Sequence, residues 1–312
     1  MTYTTQELLD KHQIRKNKAQ KAEFLKLVKA HADKHGYACS TEKGSFGAQN
    51  IIVGDVRSAK LIYTAHYDTC AVTPFPNLIT PKNMFLYLLY QIAIVAAFFA
   101  VSFFVGYGTG YLFSLANIDL DYETLYFISL GVYFALFALL LFGPANKHTA
   151  NDNTSGVATL LDIMAALPDA DKGKIAFVFF DLEESGTIGS SSFAKAHKAE
   201  MRDKLLLNFD CVSDGDRILL AVKKKAADAI PLLKEHFTER GKFKVDIRSK
   251  GVFYPSDQAN FDRGVGIATL KYSKLFKTEY MNRIHTSRDV IFEEENIEYL
   301  VECATSLAAA IQ

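Results

Sequence analysis

The sequence has no charge imbalance, no patterned cysteines and no nucleotide or serine-hydrolase signature, and each absence removes a class of function. Lys and Arg together number 35, as do Asp and Glu, so net charge draws the chain neither to nucleic acid nor to an acidic partner. Cys39, Cys70, Cys211 and Cys303 are scattered and form no CxxC or CxxCH pattern. They read as reduced, partly buried thiols in a cytoplasmic compartment. No GxSxG elbow and no Walker-type loop occurs, which disfavours serine-hydrolase and nucleotide chemistry. The opening stretch MTYTTQELLDKHQIRKNKAQKAEF is polar and helical in character. It carries no apolar run behind its charges, so no signal peptide is expected.

Charge is also missing locally, and there the absence is informative. Met84 to Val105 is apolar and aromatic except for Gln91 and Ser102, and Thr124 to Phe142 holds no charge at all. Each stretch approaches the ~20 residues needed to cross ~30 Å of hydrocarbon. Buried helices of a soluble core are the alternative, but two charge-free ones in tandem are rare. A two-helix transmembrane hairpin over residues 83–146 is expected, with spans at about 84–105 and 124–142. Its connector holds Asp119, Asp121 and Glu123 but no Lys or Arg, whereas Lys82 precedes the first span and Lys147 and His148 follow the second. Positive-inside reasoning then puts both soluble segments and both termini in the cytoplasm, with the acidic loop outside. The lipid bilayer is thus an expected partner. The GYGTG string in the connector lacks a preceding strand and is no dinucleotide fingerprint. Gly106, Gly108, Gly110 and Gly131 would permit close helix contacts.

Outside the hairpin the chain reads as α/β. Residues 5–35 suggest one charged amphipathic helix with Leu8, Leu9, Phe24, Leu25 and Val28 on its apolar side. Runs of β-formers fall at residues 50–53, 60–64, 174–180, 204–209, 217–222 and 267–272. Helix candidates fall at 155–167, 190–199, 226–240 and 296–311. Strands alternating with helices imply a sandwich around a largely buried sheet. Neither soluble half makes a plausible domain alone, so residues 1–82 and 147–312 are expected to form one domain around the insertion.

The chemistry-bearing residues gather where strands end. YTAHYDT puts His66 and Asp68 just past a strand, two apart and therefore pointing the same way. A carboxylate there suits the second ring N–H of a metal-bound imidazole. NDNTSG sets Asp152 before a helix, where a capping role is the alternative. FVFFDLEESGTIGS ends a buried strand in Asp181, Glu183 and Glu184. Adjacent carboxylates repel, and a metal resolves this if one binds it while the other takes a proton from activated water. LLLNFDCVSDGD ends another strand in Asp210, and RIHTSRDV puts His285 in a polar loop. Each motif alone is weak. Together they set two imidazoles and several carboxylates at the strand ends, where α/β folds present their sites, and this donor set suits zinc.

The order of these motifs, HxD, a helix-start Asp, EE followed by Gly and GS, a strand-end Asp and then HT, resembles the co-catalytic di-zinc aminopeptidases. These are the bacterial leucyl aminopeptidases, with glutamate carboxypeptidase and glutaminyl cyclase among their relatives. The resemblance covers about residues 51–69 and 151–312. It implies a three-layer sandwich with a mixed, mostly parallel sheet, interrupted by the hairpin. It also implies that His66 and Asp210 bind one zinc, Glu184 and His285 the other, and that Asp152 bridges them. Glu183 would be the general base and Asp68 the partner of His66. A carboxylate-rich site also accepts cobalt or manganese. PSDQANF is similar to the family's SDHxxF segment, but Gln258 replaces the usual His, which puts substrate contacts there in question, and Asp257 could act as a helix cap.

The implied activity is a membrane-anchored exopeptidase, of aminopeptidase type, acting on a peptide substrate. An aminoacyl hydrolase or cyclase on the same scaffold, and an inert membrane scaffold, are the competing readings. His12, His31, His35, His148, His197 and His236 lack matching partners and are expected mostly at the surface. Cys70 and Cys211 flank the motifs without an assigned role. The larger departure from the resemblance is the spacing between Asp68 and Asp152, which holds the whole hairpin and would set the site near the membrane surface.

Overall fold

The computed structural model describes residues 2–311. The chain begins with α1 (Tyr3–Lys11) and α2 (Lys18–Lys34), followed by strands β1 (Cys39–Lys43), β2 (Gln49–Val53) and β3 (Leu61–His66). Two long helices, α3 (Met84–Leu115) and α4 (Tyr122–Phe142), come next. The chain then runs α5 (Gly156–Ala166), α6 (Asp169–Lys172), β4 (Ile175–Phe180), α7 (Ile188–Ala196), β5 (Leu205–Phe209) and β6 (Arg217–Val222). It closes with α8 (Ile230–His236), β7 (Lys244–Arg248), β8 (Gly264–Ser273), β9 (Thr278–Tyr280) and α9 (Glu294–Ala310).

The sheet has the order β1-β2-β4-β3-β5-β8-β6-β7, with β9 on β8. Its four central strands, β4, β3, β5 and β8, run parallel, and antiparallel pairs flank them. This is the mixed α/β sheet expected, mostly parallel at its centre. Alternation along β4 explains the layers. Ile175, Phe177 and Phe179 enter a core shared with Phe24, Val28, Leu160 and Leu300 of the helices on one face. Ala176, Val178 and Phe180 enter a smaller core with Phe193 and Phe261 on the other. A strand covered on both faces is a continuous apolar run, which is why IAFVFF reads as one.

The expected single helix over 5–35 is two helices. The chain turns inward at residues 13–17, where Arg15 is fully buried and Asn17 starts α2 with a capping box closed by Gln20. The short edge strands β1, β7 and β9 lie outside the expected runs of β-formers, and the candidate helix at 226–240 is a short 3₁₀ turn followed by α8.

Helices α3 and α4 are long and apolar enough to cross a membrane, their most apolar 18-residue windows having mean hydropathies of 2.3 and 2.4. They are not core helices: 11% and 0% of their most apolar windows are buried, and Phe85, Phe103, Phe127 and Phe134 stand exposed. An apolar surface of this extent marks an interaction with something other than water. The first helix runs ten residues beyond the expected end at Val105. Phe98, Ser102 and Gly106, four apart, form its buried stripe, and a Cβ at Gly106 would meet Ser129 Oγ at 2.0 Å. Close packing on α4 thus carries the helix through the glycines. At the base, Ala71 bridges to Ala145, Phe75 contacts Phe98 at 6.1 Å between ring centres, and Lys82 reaches Asp246 and Glu279, each at 2.6 Å.

Candidate metal centre

Parallel pairing brings the site together. Because β3, β4 and β5 run side by side in one direction, the residues that end them, His66, the Asp181–Glu184 turn and Asp210, emerge along one sheet edge. Asp152 reaches the same edge from the irregular turn Ala150–Ser155 ahead of α5, and His285 from the loop after β9. Several turn residues here are non-glycine yet left-handed: Leu182 (φ 55°), Cys211 (φ 57°) and His285 (φ 62°). Such backbone costs on the order of 1 kcal/mol or more per residue and persists where surrounding contacts enforce it.

The two histidines face opposite oxygens of one carboxylate. His66 Nε2 lies 3.3 Å from Asp152 Oδ1, and His285 Nε2 lies 3.0 Å from Asp152 Oδ2. Asp210 Oδ1 is 3.5 Å from His66 Nε2, and Glu184 Oε2 is 3.1 Å from His285 Nε2. One ligand atom each from His66, Asp152 and Asp210 lie within 4.8 Å of one another, and so do those of Cys70, Glu184 and His285. The ring Nδ1 of His66 is 3.2 Å from the Asp68 carbonyl oxygen and 3.7 Å from its carboxylate. That carboxylate accepts the backbone N–H groups of Glu183 at 3.0 Å and Glu184 at 3.2 Å. Asp68 therefore ties the end of β3 to the turn after β4.

The centre concentrates negative charge away from water. Burial pushes the Glu183 carboxyl well above the ordinary carboxylate range, and Asp257, Glu184 and Asp210 add to this against the opposing pull of His66. Burial likewise raises Glu184. For Asp152 burial works upward, but hydrogen bonds from His285 and His66 win and its pKa falls below the ordinary value. Burial opposes the charge on both imidazoles, yet the carboxylates around them raise both well above normal. Among the described residues, Asp210 Oδ1 and Glu184 Oε1 are buried and find no hydrogen-bond partner. Clustered carboxylates, orphaned oxygens and two imidazoles make a donor set that fits zinc-type cations.

Sequence reasoning missed the support beneath Asp152. Asp289, 1% exposed, accepts the backbone N–H of Asn151 at 2.8 Å and of Asp152 at 3.0 Å. Asn153 donates to the Phe209 carbonyl at 3.0 Å. Only the position of Asp289, four residues past His285, hints at this in the sequence. Gln258 is buried beside Asn208, which donates to its Oε1 at 3.1 Å, while Gln258 Nε2 donates to the Tyr254 carbonyl at 2.7 Å. Its amide locks the segment and does not line the cavity that opens on the centre. Asp257 is no cap: among the described residues both its oxygens are buried and meet no geometric hydrogen bond, and burial, opposed by His66, pushes its carboxyl up to about 7. His31 departs from the expected surface position, being buried between Thr4 and the Leu161 carbonyl. A cavity of about 190 Å³ opens on the centre, lined by His66, Asp152, Glu183, Asp210, Tyr254 and His285 among others.

The family model for Peptidase family M28 matches residues 133–310. No curated protein sequence matches the chain. Among solved structures, the chain is similar to the LapA aminopeptidase of Legionella pneumophila, at 12% identity and a TM-score of 0.57 over 99% of this chain and 70% of that one. It is similar to a Zn-dependent exopeptidase from Parabacteroides distasonis, at 15% identity and 0.59 over 98% and 95%. Porphyromonas gingivalis glutaminyl cyclase is similar too, at 14% identity and 0.58 over 99% and 96%. At these identities the likeness is one of fold.

Proposed function

The chain belongs to Peptidase family M28, and from that premise we propose that it is a membrane-anchored zinc exopeptidase that removes N-terminal residues from peptides. One observation carries the reading: Asp152 presents one oxygen to each of two histidines, at 3.3 and 3.0 Å, with Asp210 and Glu184 as the outer carboxylates. In this reading His66 and Asp210 would hold one zinc and Glu184 and His285 a second, with Asp152 shared between them. Bound there, zinc would polarise the scissile carbonyl and acidify the attacking water.

The protein's own groups would do the rest. Glu183 would take the proton of the attacking water and deliver it to the leaving amine nitrogen, a role its place in the cavity wall beside Glu184 suits. Asp68 fixes the backbone of Glu183 and Glu184 and the ring of His66, so base and ligand share one mount. Asp289 holds the Asp152 turn from behind. Tyr254 and Ile284 close the cavity walls.

Purified protein tested on aminoacyl amides and dipeptides, with and without chelator, decides the matter. Chelator-sensitive hydrolysis that falls at least about 10²-fold in Glu183→Gln is expected. A metal-loaded protein inert across the panel would favour a scaffold. Cyclisation of N-terminal glutaminyl peptides without hydrolysis would favour the cyclase reading, which the likeness to glutaminyl cyclases keeps in view. Far fewer than two ions per chain would undercut the bridged site.

The membrane reading rests on α3 and α4 and on the charge asymmetry around them. It puts the metal centre and both termini on the cytoplasmic side. Cysteines introduced at Asp119 or Asp121 should label from outside intact cells, and protection there would overturn this topology.

A further inference from the structure

A second cavity, of about 250 Å³, lies between the metal centre and the hairpin. Its far wall is built by the membrane-type helices themselves: Ile94 and Val95 from α3, and Phe137, Leu140 and Leu141 from α4, with Gln91 of α3 as the one polar side chain the helices contribute. Its near end is polar and belongs to the centre, because Asn77, Glu184 and His285 line both this cavity and the catalytic one. The two spaces therefore meet at the outer ligands. An apolar chamber that opens onto reacting groups is the usual form of a substrate subsite, with hydrocarbon walls for affinity and a few convergent polar groups for orientation.

The insertion is stitched to the site where this chamber begins. Asn146, just past α4, donates its backbone N–H to the Cys70 carbonyl at 3.1 Å and its side chain to the Thr286 carbonyl at 3.1 Å. Phe75 packs on Phe98, and Phe98 packs on Phe137 at 5.1 Å. Tyr90 donates its hydroxyl to the Pro76 carbonyl. These contacts hold the bases of both helices against the loop from Cys70 to Pro81, so the chamber has fixed walls. A bare membrane anchor needs none of this, since a single apolar helix anywhere along the chain would serve.

Resting on the exopeptidase reading above, we infer that the hairpin forms a substrate pocket: the cavity takes a long apolar chain attached next to the scissile amide. The substrate class is then an amide or peptide bearing an extended hydrocarbon group at one of the two positions flanking that bond. A lipid-embedded amide and a dissolved apolar peptide present the same chemistry to the pocket.

The test uses the full-length zinc-loaded protein and two substrate series. One lengthens the N-terminal side chain from alanyl to 2-aminodecanoyl, and the other lengthens the alkyl group of the leaving amine. In one series kcat/KM should rise roughly fourfold per methylene until the pocket is filled. Val95→Trp and Leu140→Trp fill the chamber and should cut the ratio of long-chain to short-chain kcat/KM at least about tenfold. Phe134→Trp, on a lipid-facing position 62% exposed, should keep the wild-type ratio. Flat series in the wild type, or a rise that survives in both pocket variants, would overturn the inference.

A second arm reads binding without turnover. Alkyl hydroxamates of two to ten carbons are titrated into cobalt-substituted protein and followed by the cobalt absorption band. Affinity that climbs with chain length and collapses in Leu140→Trp supports the pocket even if no amide is hydrolysed, in which case only the exopeptidase reading fails. Hydrolysis of amides with no chain-length response in either arm sinks the pocket and leaves that reading standing. Running the series in detergent micelles and in dioleoyl phosphatidylcholine vesicles separates the sources. A vesicle advantage confined to the long-chain members assigns the chain to the bilayer, and equal rates assign it to dissolved peptides.

Discussion

The carboxylate of Asp289 grips Asp152 by its backbone, accepting the N–H of Asp152 at 3.0 Å and that of Asn151 at 2.8 Å. The side chain of Asp152 is thereby left free to point one oxygen at each histidine. Removing the acceptor strands two buried N–H groups, each costing roughly 1–3 kcal/mol, and loosens the turn that aims the bridge. Asp289→Ala should weaken zinc binding by about 10- to 100-fold in a competitive chelator titration. Asp289→Asn, which keeps one acceptor oxygen, should fall between. Unchanged affinity in the alanine variant would show that Asp152 holds its place without this support.

Asp68 couples two strands in the same manner. Its oxygens accept the N–H groups of Glu183 and Glu184 at 3.0 and 3.2 Å, while His66 sits against it at 3.7 Å. Asp68→Ala should therefore lower kcat strongly with a smaller effect on KM, because the proposed base Glu183 is displaced rather than deleted. It should also weaken zinc binding. Asp68→Asn retains one acceptor and is expected to recover part of both. A variant that loses only thermal stability, with kcat and metal affinity intact, would reduce Asp68 to a structural link.

Much of this centre was readable before the fold was known, for a definite reason. His66, Glu183, Glu184 and Asp210 follow short apolar runs rich in β-formers, which read as buried strands, and parallel strands deliver their ends to one edge. Asp289 was not readable, because an Asp in a polar loop looks alike whether it faces solvent or a backbone amide. The break between α1 and α2 was hidden for a related reason. Arg15 carries a charge that pattern analysis assigns to the surface, yet it is fully buried. The strands β7 and β9 escaped notice because edge strands are short and polar. The two long apolar helices were legible from hydropathy, but the extra turns of α3 depend on glycine contacts with α4 that only packing reveals.

Arg15 yields a stability prediction of its own. Its guanidinium donates to the carbonyls of Tyr67 and His12, each at 2.5 Å, and to Thr154 Oγ1 at 3.2 Å. Its charge also lies over the Phe24 ring at 5.4 Å. Burial lowers its pKa to about 10, so it keeps its proton at neutral pH. It braces the stretch between His66 and Thr69 through the Tyr67 carbonyl and the Thr69 hydroxyl. Arg15→Met should destabilise the fold by about 2–4 kcal/mol in chemical denaturation, through orphaned acceptors rather than lost volume. Arg15→Lys should rescue little, since a single ammonium cannot serve these directions at once. Full rescue by lysine would mean that charge alone matters there.

His197 supplies a pH-dependent tie far from the metal centre. Its Nε2 lies 2.6 Å from Glu42 Oε2, and its Nδ1 bonds to Glu200, so one imidazole joins β1 to the end of α7. Partial burial opposes its charge, but the two glutamates outweigh this and its pKa is raised above 6.5. A raised folded-state pKa gives stability that is fully present below the unfolded value and lost as pH climbs through the folded one. The group is partly solvated, so the gain should not exceed about 1 kcal/mol. Wild type should accordingly outlast His197→Asn in urea by most near pH 5.5, and the gap should close by pH 9. A difference that widens with rising pH would show that the imidazole acts neutral, as a packing group on Phe193, whose ring lies 4.2 Å away.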